Sequence, residues 1–117
     1  MDLEFSDTGY RVWYEPDTHT VFFEGSLRLN TADYAPLSAM LKEIVAADPP
    51  RLTLHLRGLE FLNSSGINAL YKFTIALRRR PGGAPPLTLL SSRAIAWQAK
   101  SLPNIKRFLP SATIETV

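Results

Sequence analysis

RLTLHLRGLEFLNSSGINALYKFTIAL, residues 51–77, changes its hydrophobic period part-way along. Leu52, Leu54 and Leu56 alternate with Thr53 and His55, the period of two that marks a strand. Gly58 is read as a turn. From Ile67 onward the period is helical: Ile67, Leu70, Tyr71, Thr74 and Leu77 fall on one stripe, with Asn68, Lys72 and Arg79 off it. The join, Asn63 to Gly66, is expected to be a short polar loop that opens a helix. Its hydroxyl, amide and glycine residues suit the unbonded N–H groups of a helix start. Such an end favours negative charge.

Toward the N-terminus, the spacing of Tyr34, Leu37, Leu41, Ile44 and Val45 predicts a helix over about 33 to 47, capped by one of Asn30, Thr31 and Asp33. Pro49 and Pro50 end it and feed the strand at Leu52. Tyr10–Tyr14 and Val21–Leu27 are rich in β-formers and flank EPDTHT, so they read as a hairpin. Asp17 and His19 at its tip are taken as solvated turn residues. The first nine residues suggest an irregular lead-in or a short edge strand. Toward the C-terminus, the PGGAPP loop (81–86) leads to an apolar strand at Leu87–Leu90. A weaker helix follows over Arg93–Ser101, with Ile95, Ala99 and Leu102 along one side and Trp97 off it, and Pro103 stops it. A half-turn at Ile105–Leu109 and a strand within Ala112–Val117 complete the chain. The element order is ββαβαβαβ: an α/β fold whose helical crossovers imply parallel strands, and whose first hairpin makes the sheet mixed.

At 117 residues, with 45% apolar and 21% charged residues, the chain is sized for one domain spanning 1–117. Net charge is +2, and the basic run Arg78–Arg80 closes the central helix, where cations complement the dipole; nucleic-acid binding is not indicated. The lack of Cys removes disulfides, thiolate metal sites and a Cys nucleophile, and suits a reducing cytoplasm. No apolar run nears the roughly 18 residues of a membrane span, and the acidic N-terminus carries no signal-peptide core.

Enzymatic readings fare poorly. A Ser hydrolase would present its nucleophile as G-x-S-x-G beside a base, whereas the join reads N-S-S-G and the only imidazoles are His19 and His55. A phosphate-cradling loop would need a second Gly and a Lys that Gly58–Ser65 lacks. The acids and the two His are scattered, so neither a metal nor another cofactor is expected. Phosphorylation of Ser64 or Ser65 fits better, adding about 1.5 to 2 negative charges beside a helix N-terminus that tolerates them. A partner packed over that spot would not tolerate them.

The stretch from Leu52 to Ile67 resembles the signature of the STAS domain, the family of the anti-sigma factor antagonists: an apolar strand, a Gly soon after, an aromatic, an apolar residue, then D-S-S-G or D-S-T-G opening a helix. Element order and length agree with that family. The resemblance implies a non-enzymatic bacterial signalling protein with helices mainly on one face of its sheet. It would be a cytoplasmic phosphoprotein, monomeric or weakly dimeric, acting in partner switching and transcription regulation. It would bind an ATPase-fold serine kinase that acts as an anti-sigma factor, with a phosphatase reversing the mark. By position, Ser65 is the implied acceptor, with Ser64 the second choice. Glu60, Phe61, Leu62, Asn63, Ser64, Ser65 and Gly66 form the partner-binding loop, Gly66 admitting the partner's backbone. Asn68 and Lys72 extend it along the helix, with Phe73 either a contact or core. Asn63 stands where the family has an acid, and His55 where its strand has Asp. The alternative implied by the same family is a STAS subunit of a lipid-type ABC transporter, bound to a membrane protein without inserting itself. A hydrolase centred on Ser65 comes last.

Overall fold

In a computed structural model, which describes residues 3–117, the chain forms one six-stranded sheet in the order β1-β2-β3-β4-β5-β6. Strands β1 (Glu4–Asp7), β2 (Tyr10–Glu15) and β3 (Thr20–Leu27) form an antiparallel meander. Strands β4 (Leu52–Leu62), β5 (Leu87–Ser91) and β6 (Thr113–Thr116) then add in parallel. The crossovers are α1 (Ala35–Ala46), α2 (Ser64–Arg78) and the pair α3 (Ala96–Ser101) and α4 (Ile105–Phe108). The lead-in therefore resolves into an edge strand, giving βββα before the β4 crossover; residues 1 and 2 lie outside the described residues.

Alternation sets the layers. Val12, Val21, Phe23, Leu54, Leu56 and Leu89 are buried against Leu37, Leu41, Ile44, Leu70, Leu77 and Ile105 of the helices. The intervening residues Trp13, Phe22 and His55 are half-buried and stack across the opposite face, with ring centroids 5.0 Å apart in both pairs. Helices thus cover one face, as expected for a sheet of period-two strands.

The central strand differs from its sequence reading. It does not turn at Gly58 but continues to Leu62, because two bulges each insert one extra β4 residue against β3. Phe22 pairs with His55 while Glu24 pairs with Gly58, and Gly25 pairs with Leu59 while Ser26 pairs with Phe61. Each insertion moves the buried phase, from Leu56 to Leu59 and then to Leu62, which hides the strand from a test for strict alternation. Gly58 fits the first bulge because a Cβ there would lie 3.3 Å from the Phe23 carbonyl oxygen and 3.1 Å from Glu24 Cγ. Strand β5 pairs with β4 only up to His55–Leu90, so carbonyls beyond that point need other partners. The α3 side chains supply them: Trp97 Nε1 donates to the Leu59 carbonyl at 3.0 Å, and buried Gln98 Nε2 donates to the Leu56 and Leu59 carbonyls. Trp97, expected off the packed side, is tied to the sheet.

Candidate functional site at the strand-to-helix junction

The junction sits where β3 and β4 end together: Leu27 pairs with Leu62, and the Asn63 N–H donates to the Leu27 carbonyl at 3.2 Å. Asn63 is extended (φ −78°, ψ 174°) and α2 starts at Ser64, one turn earlier than the stripe beginning at Ile67 suggests. Its Oδ1 accepts from the Gly66 N–H at 3.1 Å, an N-cap bond to the third helical residue. The same oxygen accepts from the Tyr34 hydroxyl at 2.6 Å, and Nδ2 donates to the Leu29 carbonyl at 2.8 Å. Tyr34, 2% exposed, also accepts from the Leu29 N–H at 3.4 Å. Burial raises the Tyr34 pKa above the ordinary 10.0; the Leu29 N–H opposes this and the neighbouring Tyr10 adds to it, so the phenol stays a proton donor.

The segment after β3 thereby becomes the second wall of the site. The sequence predicts that Asn30, Thr31 or Asp33 caps α1; instead Thr31–Tyr34 forms a 3₁₀ turn whose N-cap, Asn30, makes no side-chain cap bond. Thr31 is turned to another use, its hydroxyl lying 2.9 Å from that of Ser65. Arg28 stacks on the Phe61 ring, 4.3 Å from its centroid. Arg28, Thr31 and Tyr34 carry no recognisable motif; only the crossing of the two strand ends brings them here.

Of the residues expected to meet a partner, Glu60, Ser64, Asn68 and Lys72 are exposed, and Phe61 and Ser65 are half-exposed. Leu62, Asn63 and Gly66 are tied into the domain itself. Leu62 is 2% exposed in the core, and the Asn63 amide is committed to internal bonds. Gly66 is buried, and a Cβ there would run into Leu62 and come within 2.7 Å of Tyr34 Oη. Its lack of a side chain thus serves the domain's own packing. Phe73 is 5% exposed and belongs to the core.

The site offers hydroxyls with neither imidazole beside them. Ser65 faces Thr31, while His55 lies seven residues before the end of β4, roughly 23 Å at strand rise, stacked on Phe22. His19 lies at the far end of the sheet, its carbonyl accepting from the Thr53 N–H. Among the described residues, no three His, Cys, Asp or Glu side chains converge on a metal position, and no helix is long and apolar enough to cross a membrane.

No protein-family model matches the chain, and no curated protein matches it. Solved structures do. A chain from the complex of the diguanylate cyclase SiaD with its activator SiaC, from Pseudomonas aeruginosa, superposes with a TM-score of 0.73 at 18% identity, over 99% of this chain and 100% of that one. Apo-SiaC from the same organism gives 0.73 at 18% identity, over 99% and 98%. An anti-sigma factor antagonist from Mycobacterium paratuberculosis gives 0.58 at 18%, over 97% and 84%. The fold is STAS-like. Within that STAS-like fold the N-S-S-G junction is the start of α2, braced from below by Tyr34 and Asn63 and open to solvent at Ser64 and Glu60.

Proposed function

We propose that the chain is a non-enzymatic regulatory protein that binds a signalling partner over the start of α2 and is switched by phosphorylation of Ser65. The observation that carries this reading is the junction itself. An internal network of Asn63, Tyr34 and Leu29 holds Ser64 and Ser65 at the N-terminus of a 15-residue helix, beside exposed Glu60 and Asn68, with neither imidazole near them. A phosphate on Ser65 would replace the Thr31 hydroxyl contact and add about 1.5 to 2 negative charges where the helix dipole favours them. Burying that charge under a partner costs several kcal/mol, and each 1.4 kcal/mol is about tenfold in affinity. Binding is thereby switched without refolding. Structural likeness to an anti-sigma factor antagonist, and to SiaC, an activator found in complex with a diguanylate cyclase, supports a protein partner in signalling. The writer of the mark is an ATPase-fold serine kinase that is itself a binding partner, and a phosphatase removes it.

The test is to incubate the purified protein with the ATPase-fold protein encoded beside it and ATP, and to map phosphate by mass spectrometry. Label on Ser65, loss of label in Ser65→Ala, and an at least ~100-fold weaker complex for Ser65→Asp are expected. Label on neither Ser65 nor Ser64, with no complex formed, overturns the reading.

A further inference from the structure

Helices α1 and α2 lie side by side and leave between them an open groove of about 290 Å³, lined by α1 from Ser38 to Val45 and by α2 from Ala69 to Ala76. Each wall contributes seven residues of rise, roughly 10 Å or two helical turns. The floor is apolar, with Leu41 and Val45 from one helix and Ala69 and Phe73 from the other. Lys42 on α1 and Lys72 on α2 are exposed and stand on the two walls, each near the middle of its span.

That arrangement identifies its occupant. Two turns of apolar floor accept the i, i+3/i+4, i+7 stripe of a helix. Cations on both walls at mid-length call for acids on both sides of that stripe. A single-chain amphiphile carries its one carboxylate at an end, where it would meet neither wall's midpoint well. A second copy of this chain does not qualify, because α1 carries only Glu43 as an acid and α2, α3 and α4 carry none. Charge beyond the groove points the same way. From Ser64 to Val117 there are eight Lys or Arg and one acid, Glu115, so the cations do not alternate with acids in this half of the chain. Of these, Lys72, Arg78, Arg79, Arg93, Lys100, Lys106 and Arg107 are exposed, and such an excess of exposed cations favours an acidic partner.

We propose that the α1/α2 groove seats an amphipathic helix of the protein partner, its apolar stripe flanked on both sides by Asp or Glu. The proposal rests on reading the chain as a partner-binding regulator, and it gives that reading a mechanism. Ala69 lies four residues, one helical turn, beyond Ser65, so a phosphate there would confront the acids of the seated helix.

Two synthetic helical peptides with the same Leu stripe, one flanked by Glu and one by Lys, together with dodecanoate, would be titrated into the full chain and followed by amide NMR. The Glu-flanked peptide is expected to shift residues 38–45 and 69–76 saturably. The double variant Lys42→Glu, Lys72→Glu should weaken it at least ~10-fold at low salt and gain affinity for the Lys-flanked peptide. Equal binding of both peptides, shifts centred elsewhere, or saturable binding of dodecanoate alone overturns the proposal. Titrating the Glu-flanked peptide into the unaltered chain and mapping phosphate on that same chain separates the two readings. Label on Ser65 with an empty groove rejects the helix and keeps the switch; a seated peptide with no label keeps the groove and rejects the switch.

Discussion

Asn63 both accepts and donates into the interior. Its Oδ1 takes the Gly66 N–H and the Tyr34 hydroxyl, while its Nδ2 serves the Leu29 carbonyl. An Asp there would keep the two acceptor bonds but would set a carboxylate oxygen against that carbonyl. The amide, unlike a carboxylate, serves all three partners. Asn63→Asp should therefore lower stability by about 1–3 kcal/mol, read from the urea midpoint at neutral pH. If it leaves stability unchanged, the amide is not needed as a donor. Gly66→Ala tests the other side of the same packing. Its methyl meets Leu62 and Tyr34, so a loss of about 1–3 kcal/mol is expected. Normal stability with lost partner binding would instead mean that Gly66 faces the partner.

The elements around this residue were unequally legible in the sequence. Helix α1 follows from its spacing and strands β2, β3 and β5 from their β-forming and apolar residues, because each meets one layer and keeps one phase. Strand β4 does not, since its two bulges shift phase and its second half lies outside the reach of β5. What replaces the missing ladder is α3, too short to be held by its own hydrogen bonds but anchored through Trp97 and Gln98. Gln98 also accepts from the Ser92 N–H at 2.7 Å, so it joins the start of its own crossover to β4. Gln98→Leu would strand several buried polar groups at once and is expected to cost about 2–4 kcal/mol. Hydrogen exchange should show the added opening concentrated in residues 56–62 and 92–101. A uniform loss across the sheet would contradict that anchoring role.

Across the whole molecule, three phenols are tuned in the same direction. Burial raises the pKa of Tyr10, Tyr14 and Tyr34 above the ordinary 10.0, and Asp7 and Asp33 add to the effect at Tyr10. The unfolded chain therefore releases these protons first. Their contribution to stability is complete below about pH 10 and is lost as pH rises through the folded values. Urea midpoints should hold level up to about pH 9.5 and fall above it, less steeply in Tyr34→Phe. An equal slope in the variant would show that Tyr34 ionises as freely folded as unfolded. By itself the sequence determined the class of fold, the order of most elements and the position of the N-S-S-G junction, because these depend on local periodicity and on the preferences of Asn, Ser and Gly at a helix start. Only the tertiary structure decided that β4 runs to Leu62 through two bulges, that Leu62 and Gly66 face inward, and that Thr31 and Tyr34 complete the site. Those outcomes depend on register between strands and on contacts some 30 residues apart, such as Tyr34 with Asn63, and no local pattern records them.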